Sequence, residues 1–112
     1  MTDIASLFVW RRHDVLVAAI TGEVDISNAR DLEREILAEV GPAGLVVDLG
    51  GLGFMDGAGV HLLYALADQV RRFAIVLPED SFAQRVLDLS GPRPRRWTHR
   101  TEDDAIDAVL RR

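Results

Sequence analysis

The residues best suited to chemistry lie in a glycine-rich stretch at positions 50–59, Gly-Gly-Leu-Gly-Phe-Met-Asp-Gly-Ala-Gly. It joins an apolar run at 45–49 to an amphipathic segment that begins near Gly57. A strand-to-helix junction is where a phosphate-binding loop would sit, because the amides of a helix N-terminus attract anions. Gly51-x-Gly53 begins like a dinucleotide fingerprint, but Asp56 stands where the third glycine belongs. A carboxylate there would repel a pyrophosphate. No Gly-Lys-Ser/Thr element is present, which excludes a P-loop. The junction therefore reads first as a tight turn with Asp56 as helix N-cap. A weak nucleotide-binding domain is kept as an alternative.

Other catalytic constellations are missing. His13, His61 and His99 share no ligand spacing, so no metal site is expected. The chain has no cysteine, which removes disulfides, a thiolate zinc site and a thiol nucleophile. Asp48 falls in a strand and Asp56 in a loop, and neither has a nucleophile–base partner in sequence. Glu23 and Asp25 read as solvated turn acids. No catalytic residue, cofactor or metal is assigned, and the chain is not expected to be an enzyme.

Two surface features remain. On the segment after Gly57, His61, Tyr64, Ala65 and Asp68 fall together on the outer face, with Leu62 near its edge. Tyrosine suits an interface because it buries a ring and keeps a polar tip. The plainer alternative is a solvated face with one partly covered tyrosine. Residues 93–100 hold Arg93, Arg95, Arg96 and Arg100 with Trp97 and no acid. They could meet a phosphate or an acidic partner. A Pro-stiffened solvated loop with Trp97 turned inward is the favoured reading, because the charge run is short.

The net charge of −5 disfavours broad nucleic-acid binding. An apolar fraction of 48% argues for a packed core rather than a disordered chain. The 112 residues suit one domain over 1–112. No stretch approaches the roughly 20 apolar residues of a spanning helix, and residues 1–12 do not read as a secretory leader. A cytoplasmic protein without membrane insertion is expected.

The elements that must position the junction follow from periodicity. Residues 6–10 and 15–21 read as a β-hairpin, the second strand being apolar on both faces. A helix runs from the Asp25-Ile26-Ser27-Asn28 segment to about Val40, with Ala29, Leu32, Ile36 and Val40 on one face. Ser27 or Asn28 can cap it. Residues 45–49 are a strand. Seven of the nine glycines fall between Gly41 and Gly59, so the chain turns repeatedly around that strand. A second helix spans about 57–72, with Val60, Leu63, Leu66, Ala67 and Val70 in a core stripe of about 100°. Residues 74–77 are a strand. Phe82, Val86 and Leu89 mark a short helix closed by Gly91-Pro92. Residues 95–99 read as an edge strand, and Thr101 caps a last helix. Strands alternating with helices give an α/β fold, a mixed four- to five-stranded sheet with about four helices packed mainly on one face.

Two stretches resemble a known family. Gly22-Glu23-Val24-Asp25-Ile26 with Ala29, Leu32 and Ile36 is similar to the signature that enters the first helix of STAS domains. Val46-Val47-Asp48-Leu49, Phe54-Met55-Asp56 and Gly59-Val60 resemble the second signature. The likeness is to the bacterial anti-sigma factor antagonist type, and it covers nearly the whole chain. In that type the second motif reads Asp-Ser-Ser-Gly, and a partner that is both anti-sigma factor and kinase phosphorylates the second serine. The resemblance implies a partner of the histidine-kinase-like ATPase fold. It also implies a binding surface of Asp56, Gly57, Ala58 and Gly59 with His61, Tyr64, Ala65 and Asp68. Asp56 and Gly59 fit the motif, whereas Gly57 and Ala58 replace both serines, so the phospho-acceptor position is Ala58 and lacks a hydroxyl. The alanine fits a divergent member regulated otherwise, an engineered change, or modification at Ser27 instead. Another expectation within the family is the STAS subunit of a different assembly, such as a lipid-transport ATPase complex. Whether the chain forms a homodimer stays open.

Overall fold

Strands β1 (Ala5–Arg12) and β2 (Val15–Val24) form the expected antiparallel hairpin. Its two-residue turn is His13 and Asp14, at φ 50° and 66°, a backbone that matches the twist of the flanking strands. The computed structural model describes residues 4–112 apart from the Arg93 side chain. Residues 1–3 of the expected domain lie outside the described residues. Strands β3 (Leu45–Asp48), β4 (Leu52–Met55), β5 (Phe73–Val76) and β6 (Thr98–His99) complete the sheet. Its order is β1-β2-β3-β5-β6, and β4 also pairs with β2. Among the described residues every pairing between strands other than β1–β2 is parallel.

Helices α1 (Ala29–Glu39), α2 (Gly57–Gln69) and α3 (Phe82–Asp88) contribute to one core, and α4 (Glu102–Leu110) forms a second, smaller one. Alternation along the strands sorts side chains between them. Leu16, Ala18, Ile20, Leu45, Val47, Phe73 and Ile75 enter the larger core. Val15, Val17, Val46, Ala74 and Val76 meet Ala105, Ile106 and Val109 of α4. This is why β2 is apolar on both faces. Burying a side chain such as Ile36 or Leu66, each fully inaccessible, contributes roughly 1.5–3 kcal/mol.

Several expectations need correction. The stretch read as a loop contains β4, which extends the β2 ladder beyond the end of β3, Gly22 facing Leu52 and Val24 facing Met55. Four residues interrupted by Gly53 carry too little periodicity to announce a strand, and pairing with β2 makes it one. Residues 95–99 are not one edge strand. A 3₁₀ turn (Arg93–Trp97) precedes the two-residue β6, because Pro92 and Pro94 fix φ and lack the N–H a ladder needs. Leu89 ends outside α3 and is 90% exposed, while Ala83 and Leu87 fill the core below that helix. Leu62 is buried rather than at the edge of an outer patch, because α1 covers that flank of α2.

Thr101 caps α4 as expected, its Oγ1 accepting the Asp104 N–H at 3.1 Å. Glu102 and Asp103 at the start of that helix bind the Arg12 guanidinium at 2.9 and 2.8 Å, tying the hairpin to α4. On β6, His99 has a buried Nε2 with no hydrogen-bond partner. Burial, and then the charge of Arg112, hold its pKa below the ordinary 6.5, against a smaller opposing effect of Asp104. The unfolded chain then takes up the proton first. The contribution to stability is complete above the ordinary value and is lost as pH falls through the depressed one. His99→Phe is expected to reduce the drop in Tm between about pH 7.5 and about pH 5.5. An unchanged drop in thermal melts would assign that pH dependence to other groups.

Candidate partner-binding site

The start of α2 is held from three sides. Asp56 is the N-cap, with φ −103° and ψ −165°, and its Oδ1 accepts the Ala58 N–H at 2.9 Å. Its carbonyl accepts the N–H groups of Gly59 and Val60 at 3.0 and 3.2 Å. Its own N–H donates to the Val24 carbonyl at 3.4 Å, so the cap is anchored to β2. Two of the amides that an anion would use are thus already satisfied from within the chain. This arrangement counts against a phosphate site at the junction. Among the described residues no group of three or more metal-ligating side chains occurs.

The three small residues of the junction differ in what enforces them. A Cβ on Gly59 would lie 2.2 Å from Cγ of Met55, so the approach of α2 to β4 requires glycine there. A Cβ on Gly57 would meet nothing within 4 Å. Packing therefore does not exclude a serine at 57. Ala58 is half-buried and lies on a groove of about 450 Å³ between α1 and α2. Ile26, Ala29, Arg30, Glu33 and His61 also line it.

The outer face of α2 is divided by what flanks it. His61 and Asp68 are exposed, and His61 shares the groove with Ala58. Ala65 is half-buried, and its carbonyl accepts from the Gln69 amide, which also donates to Glu33 at 3.0 Å and clasps α1 to α2. Tyr64 is half-buried and packs edge-on against Trp97, with ring centroids 5.8 Å apart. Tyr64 is thus partly covered, as the plainer reading has it, and at three residues from His61 it lies on the same side of the helix. Trp97 turns inward as favoured, 9% exposed and edge-on to Phe73 at 5.6 Å. Arg100 lies 3.7 Å from Glu79. The side chain of Arg93 lies outside the described residues.

Two exposed apolar side chains at the junction lie outside the contact set expected from the sequence. Ile26 is 86% exposed and adjoins Ala58 in the groove. Phe54 is 42% exposed two residues before the cap, stacked on Phe82 at 6.4 Å. An isoleucine set among Asp25, Ser27 and Asn28 is the signal that could have found the first.

The capping expected of Ser27 or Asn28 does not occur. Asn28 is the N-cap of α1 without a side-chain cap bond. Its Oδ1 accepts the Asp25 N–H at 3.0 Å, and its Nδ2 donates to the Glu23 carbonyl at 2.9 Å. The Asp25 carboxylate accepts the hydroxyl and the N–H of Ser27 at 2.5 and 2.8 Å. Those bonds, the hydroxyl first, hold the Asp25 pKa below its ordinary value against a smaller effect of burial. A closed turn of polar bonds thus presents Ile26 at its tip.

A capped helix start, a neutral small residue beside a groove and an apolar rim define a surface suited to another protein. The STAS domain family matches residues 9–105, and the chain belongs to that family. It is 34% identical over 82 residues to a candidate anti-sigma factor antagonist, BtrV, of Bordetella bronchiseptica, an alignment covering 69% of this chain and 71% of that protein. The crystal structure of an anti-sigma factor antagonist from Mycobacterium paratuberculosis is similar at TM-score 0.72 and 27% identity, over 94% of this chain and 93% of that one. The antagonist SpoIIAA in its unphosphorylated form superposes at TM-score 0.72 over 93% of this chain and 96% of its own, and at 20% identity it speaks for the fold alone. No helix among the described residues is long and apolar enough to cross a membrane.

Proposed function

We propose that this chain is an anti-sigma factor antagonist, a protein-binding module rather than an enzyme, and that it is held in a binding-competent state. The observation that carries this reading is Ala58, a side chain without a hydroxyl, half-buried in the groove at the capped start of α2. The named antagonists among its relatives support the general role. The partner is an anti-sigma factor or regulatory serine kinase of the histidine-kinase-like ATPase fold, met in the cytoplasm. It contacts Asp56, Gly57, Ala58, Gly59 and His61. Tyr64, Ala65 and Asp68 extend the contact along α2, and Tyr64 also braces the helix on Trp97.

The physical basis is charge. A phosphoserine brings about −1.5 to −2 charges and acts by repulsion and desolvation when it lies in an interface. At position 58 it would stand beside the Asp56 carboxylate, which already takes the Ala58 N–H. Alanine keeps the size and neutrality of the unmodified serine and cannot acquire that charge. Ser27 is a poor substitute acceptor, since its hydroxyl is bound to Asp25 and a phosphate would face that carboxylate.

The absence of a hydroxyl at both Gly57 and Ala58 also favours a second reading, the STAS subunit of another assembly such as a lipid-transport ATPase complex. Co-purification from the source cell tests both. Capture of a histidine-kinase-like ATPase is expected. Recovery of a transporter ATPase, with no kinase-fold protein, would replace the first reading by the second.

A further inference from the structure

Strand β1 is the outer strand of the sheet and presents Phe8, Val9 and Trp10 at 56%, 41% and 39% exposure. A long apolar edge strand is a template for pairing with another strand. The direction of its backbone groups can be worked out. In an antiparallel ladder every second residue bonds the neighbouring strand. Ile4 accepts the Glu23 N–H at 2.8 Å, and the register from Ala5–Gly22 to Arg12–Val15 is unbroken. Ser6, Phe8, Trp10 and Arg12 therefore turn their amides toward β2. Ala5, Leu7, Val9 and Arg11 turn theirs outward. The Leu16 N–H donates to Gly44 on the β3 side at 3.1 Å, which agrees with that parity on β2.

Charge is arranged along the same edge. Helix α1 carries Asp31, Glu35 and Glu39 at four-residue spacing, hence on one flank. Asp31 and Glu35 line a hollow of about 530 Å³ with Ala5, Ser6 and Phe8, at the start of β1. Asp31 also pairs with Arg34 on its own helix. At the other end of β1, Arg11 is exposed and donates to the Glu39 carbonyl at 2.7 Å, which leaves further guanidinium donors. Arg11 thus stands at one end of the edge, beside Glu39, and the hollow lined by Asp31 and Glu35 at the other.

We propose that β1 is the pairing surface for a second copy of this chain, joined antiparallel about a two-fold axis through Phe8. Antiparallel pairing brings the Arg11 end of each copy to the Asp31 and Glu35 end of the other. With Phe8 opposite its symmetry mate, Ala5 faces Arg11 and Leu7 faces Val9, and all four have outward amides. Each Arg11 then reaches the hollow lined by Asp31 and Glu35. Phe8 meets Phe8 at a non-hydrogen-bonded position, where side chains approach most closely. The two-fold uses each complementary contact twice. Helix α1 stands between this edge and the α2 groove, so the pairing does not depend on the function proposed above.

Sedimentation equilibrium of the full chain tests the proposal. A reversible dimer with a Kd of about 1–100 μM is expected for an interface this small. Val9→Pro removes an outward N–H and no β1–β2 bond, as edge strands permit, and is expected to raise the Kd at least about tenfold with circular dichroism unchanged. Arg11→Glu and Glu35→Arg should each weaken the dimer, and the double variant should recover it. This arm stands even if the proline variant fails to fold. A chain that stays monomeric to about 1 mM overturns the proposal, as does a dimer indifferent to both Val9→Pro and the charge exchange. A monomer whose β1 instead takes an extended strand from another protein overturns it too.

Discussion

Ala58→Glu is expected to weaken binding of the proposed kinase-fold partner by about 2 kcal/mol or more, roughly thirtyfold in Kd. The position is half-buried on the α1–α2 groove, beside exposed Ile26. A carboxylate there would be desolvated when a protein closes over it. It would also lie near Asp56, whose Oδ1 is committed to the amide of the same residue. The chain itself should fold normally, since position 58 begins a helix and acids are favoured in the first turn. The check is a titration by calorimetry alongside a thermal melt. Lost affinity with an unchanged melt is the expected pair of results. Unchanged affinity would move the interface away from the start of α2.

Phe73→Ala should be the most damaging substitution to the fold. Phe73 is 1% exposed, lies on interior strand β5, and meets the Trp97 ring edge-on at 5.6 Å. Truncating a buried phenylalanine costs about 3–5 kcal/mol through lost transfer energy and the cavity left behind. A domain of this size has about 5–15 kcal/mol in total. The same change removes the wall against which Trp97 rests, and Trp97 in turn braces Tyr64 on α2. Urea unfolding should show a lower midpoint with the slope preserved. Tryptophan emission should move to longer wavelength as Trp97 gains water. A loss under about 1 kcal/mol would mean that the core closes over the gap.

How far the sequence led depends on whether a feature is local. The Asp56 cap was legible because one residue type at one place relative to an apolar helix determines it. The two-sided apolar run of β2 was legible because burial between α1–α3 and α4 leaves no polar alternation to hide it. Strand β4 was not, since Leu52–Met55 becomes a strand only through β2, a partner some thirty residues earlier in the chain. Leu62 was misplaced because a helical wheel drawn for one covered face cannot foresee that α1 covers a second flank. Tyr64 and Trp97 each stand out in the sequence, but their contact joins residues from distant segments. At the turn before α1, residue type predicted a cap. The Asn28 amide instead bridges Glu23 and Asp25, and Ser27 serves Asp25.

The family likeness and the geometry meet at position 58. An Ala58→Ser chain should fold like the parent, because a hydroxyl adds little volume at a half-buried site. The decisive measurement is intact mass, with peptide mapping, after both chains are incubated with the captured kinase and Mg-ATP, together with the fraction that remains bound. The parent chain should stay unmodified and bound, while the serine form gains one phosphate at position 58 and is released. A phosphate on the parent chain near the start of α2, or equal release of both forms by ATP, would contradict a permanently neutral binding surface.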